Sequence, residues 1–112
     1  TITVNPTCVR IPVFYGHSQE VHIETAEPNA AIEVERLLAK TPGVKVMKEG
    51  KYPTPVTESA GTDPVFVGRI RDDISHPNGI NLWVVADNVR KGAALNSVQI
   101  AELLVAQDLL TN

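Results

Sequence analysis

Two apolar runs, Val65-Phe66-Val67-Gly68-Arg69-Ile70-Arg71 and Ile80 to Val85, are joined by a short segment holding Pro77 and the Asn78-Gly79 pair, and they constrain the fold more than any other feature. Asparagine and glycine tolerate the backbone angles of a tight reversal, so an Asn-Gly pair between β-rich runs marks a hairpin-like connection. The two runs are expected to pair antiparallel. Ile80 to Val85 is the more uniformly apolar of the two, which suits a central strand covered on both faces.

A third strand is read at Gln19 to Thr25, where Val21 and Ile23 alternate with Glu20, His22 and Glu24. A period of two sends alternate side chains to opposite faces, so His22 is expected on the solvent side. Val44 to Lys48 alternates in the same way. Between these strands Glu27-Pro28-Asn29 breaks the chain, and Asn29 is placed to cap a helix through Ala30 to Lys40 whose Ala31, Val34, Leu37 and Leu38 form an apolar stripe. Thr41-Pro42-Gly43 stops it. A second helix spans Gly92 to Gln107, with apolar positions over more than half its circumference, a breadth that predicts burial on two sides. Ile2 to Val4 and Val9 to Ile11 read as an extended opening, and Gly50 to Pro64 as a long loop. The tally is an α+β domain: a mainly antiparallel sheet with helices packed on one face.

A chain of 112 residues is about one domain, short for an enzyme carrying both a cofactor domain and a substrate domain. An apolar fraction of 43% with 21% charge excludes a disordered chain. The net charge of −3, with both signs interspersed, lacks the clustered cations of a nucleic-acid surface. The longest apolar run, Ile80 to Ala86, is interrupted by Asn81 and falls far below the ~20 residues that cross a bilayer. One cysteine forms no internal disulfide, which makes the cytoplasm the default compartment. The absence of an initiator Met implies that the natural N-terminus is not included.

Chemistry concentrates in Cys8 to Ser18, where Arg10 and His17 flank an apolar segment broken by Pro12 and Gly16. A guanidinium grips a carboxylate bidentately, and an imidazole moves protons near neutral pH. Seven positions separate the two, which in an unbroken strand would send them to opposite faces; Pro12 and Gly16 permit convergence without requiring it. Cys8 pairs on paper with His17 as a nucleophile, but its strand-like flanks favour a small buried thiol. His22 and His76 lack the spacing or cysteine partners of a metal site, and no metal is expected. Arg69, Arg71, Asp72 and Asp73 read as an exposed charged edge, and Trp83 as core or subunit interface.

Three segments carry a resemblance: Thr7 to Val13 running into Gly16-His17-Ser18, then Asp63 to Arg71, then Asp87-Asn88-Val89-Arg90-Lys91-Gly92-Ala93-Ala94-Leu95-Asn96 with Gln99-Ile100-Ala101-Glu102. Together they resemble the C-terminal part of aspartate-semialdehyde dehydrogenase, over nearly the whole chain. The resemblance implies the catalytic and dimerisation domain of the glyceraldehyde-3-phosphate dehydrogenase-like fold, with residues 88–112 forming a C-terminal helix that returns to the cofactor domain. It implies NADPH-dependent reduction of L-aspartyl-4-phosphate to L-aspartate 4-semialdehyde, on the route to lysine, diaminopimelate, methionine and threonine, in a homodimer or homotetramer. His17 then corresponds to the acid/base residue, Arg10 to the grip on the substrate α-carboxylate, and Asn88 to the contact with the nicotinamide carboxamide.

The departures are equally specific. The family's nucleophilic cysteine, its phosphate-holding basic residues and a Gly-rich nucleotide fingerprint have no counterpart here. The chain is therefore expected to be a distal piece, inactive alone. A non-catalytic assembly module of the same fold, and the related N-acetylglutamyl-phosphate reductase, are the alternatives.

Overall fold

The computed structural model describes residues 1–48 and 50–109. Its centre is a four-stranded sheet of β1 (His17–Glu24), β2 (Val44–Val46), β3 (Val65–Asp72) and β4 (Gly79–Ala86), in the order β1-β4-β3-β2. β4 pairs antiparallel with both β1 and β3, while β2 joins β3 in parallel. The most apolar strand is thus the central one, with Ile80 and Val85 at 1% and 0% exposure.

The β3–β4 reversal is built on Asp73. Its Oδ1 accepts the N–H and hydroxyl of Ser75, both at 2.6 Å, and the N–H of His76 at 3.2 Å, curling the chain so that Gly79 N–H reaches His76 O at 3.0 Å. The Ser75 contacts hold the Asp73 carboxyl far below the usual carboxylate range. Next to it, His22 is exposed as its alternation implies but is engaged with Glu24, Asn81 and Asp73 at 3.1 to 3.3 Å, and the Glu24 and Asn81 contacts raise its pKa.

One sheet face carries α1 (Ala31–Leu38), whose Ala31, Val34 and Leu38 pack against Val67, Ile80 and Leu82. The expected cap is corrected here. Asn29 donates to Thr25 Oγ1 and Glu27 O, while the first helical N–H, from Ala31, goes to Asp72 Oδ1 at 2.7 Å, where a carboxylate also suits the helix dipole. β3 carries one extra residue between Gly68, opposite Trp83, and Arg71, opposite Asn81. Arg69 absorbs this bulge at φ +53°, and the insertion keeps Ile70 on the Val67 side, against the core under α1.

The other face is crossed by the segment expected as a loop. It contains a π-helical turn at Pro55–Ser59, and Pro53, Pro55 and Ser59 are buried against β3 and β4. Trp83 is half-buried there and donates its indole N–H to Pro53 O at 3.0 Å. Gly68, its cross-strand partner, makes this approach possible: a Cβ at Gly68 would sit 2.8 Å from Pro53 Cδ. Gly68→Ala is expected to cost about 1–3 kcal/mol of stability through overpacking, seen as a lower urea midpoint at unchanged slope.

Two expectations are corrected. Residues 1–15 form no helix or strand, so Cys8 has no strand to pack in and is exposed rather than buried. The second helix, α2 (Ala94–Ala106), has no buried residue, because it leaves the sheet instead of lying on it; Val98, Ile100, Leu103 and Val105 are all more than half exposed. Among the described residues, α1 is the one α-helix packed on the sheet.

Candidate active site

At the C-terminal end of β4 the chain turns through Asp87 and Asn88, beside the start of β1, where His17 stands opposite Ala86. Gly16 N–H donates to Asn88 Oδ1 at 2.8 Å. That bond joins residues 72 positions apart and sets the Asn88 amide next to His17. It also orients the amide: its oxygen must face Gly16, which leaves Nδ2 as a donor with no partner among the described residues. Gly16 is required twice over, by a φ of +98° and by space, since a Cβ would lie 2.7 Å from Pro55 Cβ.

Asp87 underlies this corner. It is 5% exposed. Its Oδ2 accepts Gly61 N–H at 2.7 Å, and its Oδ1 accepts Val89 N–H at 2.8 Å and Arg90 N–H at 3.3 Å. The Gly61 and Val89 bonds hold its carboxyl below the ordinary aspartate value. The Arg90 guanidinium pairs instead with Asp63. A cavity of about 340 Å³ opens beside Asp87, lined by Tyr15, Ala60, Gly61, Asp87, Val89 and Arg90, with neither His17 nor Asn88 in its lining.

Of the three residues singled out from sequence, the structure brings two into one corner. His17 is exposed at the first position of β1, and its ring has no hydrogen-bond partner among the described residues; Asn88 is tied to the residue before it. Arg10 is not drawn in: it is exposed in the irregular opening segment and has no hydrogen bond or ion pair among the described residues. Sequence reasoning missed Asp87. An aspartate closing an apolar strand just before a turn is the signal that was available, because such a side chain commonly accepts the N–H two residues on.

An exposed imidazole can exchange protons with a small polar molecule, and an oriented amide donor can face a carboxamide-bearing group. The amide fits a nicotinamide carboxamide: Nδ2 is open, and Oδ1 keeps a second lone pair after accepting from Gly16. Among the described residues no helix is long and apolar enough to cross a membrane.

Residues 1–91 match the family model for the semialdehyde dehydrogenase dimerisation domain, so the chain belongs to the semialdehyde dehydrogenase family. More particularly, it is 64% identical over 105 residues to the aspartate-semialdehyde dehydrogenase of Shewanella violacea, covering 93% of this chain and 31% of that protein. It is 58% identical over 113 residues to that of Legionella pneumophila, covering 98% of this chain and 33% of the relative. The crystal structure of aspartate semialdehyde dehydrogenase II from Vibrio cholerae, complexed with ASA, superposes with a TM-score of 0.87 at 60% identity, over 91% of this chain and 30% of that one. The fold is that of the C-terminal dimerisation domain of the glyceraldehyde-3-phosphate dehydrogenase-like class. The chain spans about a third of the length of the relatives it matches.

Proposed function

We propose that this chain is the distal part of an NADP-dependent aspartate-semialdehyde dehydrogenase, which converts L-aspartyl-4-phosphate to L-aspartate 4-semialdehyde with release of phosphate. The observation that carries the reading is the Gly16–Asn88 bond, which supports a shared site for an acid/base imidazole and a cofactor-facing amide. The identity to the Shewanella relative supports the substrate class. His17 exchanges a proton with the reacting oxygen as a cysteine from outside this chain forms and releases a thioester. Arg10 pairs with the substrate α-carboxylate. Asn88 donates from Nδ2 to the carboxamide of the nicotinamide ring and so orients it. NADPH, when bound, supplies the hydride.

The domain reading extends this. The outward apolar side chains of α2 support a helix whose cover is the cofactor domain; of the segment 88–112 expected to return to it, 110–112 lie outside the described residues. The match to a dimerisation domain supports self-association, which we read as a homodimer or homotetramer. We read the protein as a cytoplasmic enzyme of the route to lysine, diaminopimelate, threonine and methionine.

The test is phosphate-dependent reduction of NADP with L-aspartate 4-semialdehyde, run on the complete protein and on this chain. Turnover is expected from the first and none from the second, which lacks the nucleophile. Activity of the chain alone would refute the division of the site. Preference for N-acetylglutamate semialdehyde by the complete protein would move it to the sister reductase.

A further inference from the structure

We propose that Asp87 is a positioning residue for Asn88, and that its carboxylate couples the Ala60-Gly61 turn to the amide that faces the cofactor. The inference rests on the role proposed for Asn88. Three backbone N–H groups from two separate segments converge on this one buried carboxylate: Gly61 on Oδ2, Val89 and Arg90 on Oδ1. Asn88 lies between Asp87 and the two N–H groups on Oδ1, so that half of the clamp closes the turn around Asn88. With the turn closed, the Asn88 side chain reaches back to Gly16, the residue before His17. The bond to Gly61 ties the same carboxylate to a second residue that lines the adjoining cavity.

The charge is required by the geometry. A carboxylate offers about four lone-pair sites and no donor, enough for all three N–H groups. An asparagine at this position has a single acceptor oxygen, so its NH₂ would confront either Gly61 N–H or the pair from Val89 and Arg90. Asp87→Asn therefore preserves the side-chain shape and opens one arm of the clamp. The orphaned N–H needs an acceptor, and the nearby Arg90 guanidinium, a donor only, offers none.

A residue that merely caps the turn before α2 would behave differently from one acting through Asn88, and a double-mutant cycle separates the two. The complete protein is prepared as Asp87→Asn, Asn88→Ala and the double variant. NADPH affinity is followed by fluorescence, and hydrogen exchange at the peptide containing Gly16 by mass spectrometry. Asp87→Asn is expected to weaken NADPH binding roughly tenfold, the order of one hydrogen bond lost, and to speed Gly16 exchange. The double variant should bind no more weakly than Asn88→Ala alone. Gly61→Ala supplies a second route should Asp87→Asn fail to fold. Its Cβ would meet nothing within 4 Å, while φ of +76° strains the backbone that donates to Asp87, so a smaller loss in the same direction is expected, again absent in the Asn88→Ala background. Additive losses, or unchanged NADPH affinity and Gly16 exchange in Asp87→Asn, would reduce Asp87 to a cap and overturn the proposal. Should Asn88→Ala itself leave NADPH affinity unchanged, the cofactor role of Asn88 falls, and the positioning role falls with it.

Discussion

His17→Ala in the complete enzyme is expected to lower kcat by roughly 10²–10⁴-fold, the usual contribution of a positioned proton-transfer group, while KM changes little. The argument begins with the backbone. β1 starts at His17, opposite Ala86, and Gly16 just before it is held by Asn88. The main chain beneath the imidazole is therefore fixed on both sides. The ring itself is exposed and makes no hydrogen bond among the described residues, so both nitrogens are open to solvent. A group that meets the reacting atoms mainly in the transition state shows its loss in kcat, not in binding. Steady-state kinetics of the variant, with the melting temperature as a folding control, check this. Kinetics equal to the unaltered enzyme would take His17 out of the site.

Arg10→Ala is expected to lower kcat/KM by roughly 10²-fold, the order of losing a charge-assisted pair to a carboxylate, and the loss should appear chiefly in KM. Arg10→Lys should recover only part of it, because an ammonium keeps the charge but not the planar fork. The expectation draws on the position of Arg10 in the family's motif and on its guanidinium having no partner within the described chain. A salt-bridging arginine with a purely structural task would have its acid in view. Substrate titrations of both variants decide it: KM values equal to the parent would assign the carboxylate grip elsewhere.

Much of the sheet was legible because its causes are local. The alternation of Val21 and Ile23 with charged residues, the uniform apolarity of Ile80 to Val85 and the Asn78-Gly79 reversal each act within a few residues, and the strands formed where they pointed. The helix over 31–38 followed from its stripe in the same way. Its cap did not, because Asp72 comes from 41 residues away and displaced the neighbouring Asn29 from that task. Likewise the breadth of apolar positions on α2 predicted burial, and the strand-like flanks of Cys8 predicted a packed thiol, but composition does not say which surface will be present to cover them. The candidate site divided along the same line. Residue types pointed to His17 and Arg10, and the family resemblance added Asn88 and the three roles, whereas nothing near Asp87 in sequence announces Gly61.

By itself, the amino-acid order determined the strands, the first helix, the central place of β4 and the residues able to do acid/base and carboxylate chemistry, since each follows from periodicity or from the functional groups themselves. Only the tertiary structure decided that a bulge at Arg69 keeps Ile70 in the core, that Pro53 rides over Gly68, and that Asn88 meets Gly16 across 72 positions. Those choices belong to buried polar groups and close-packed surfaces, which must find their partners wherever in the chain the fold brings them.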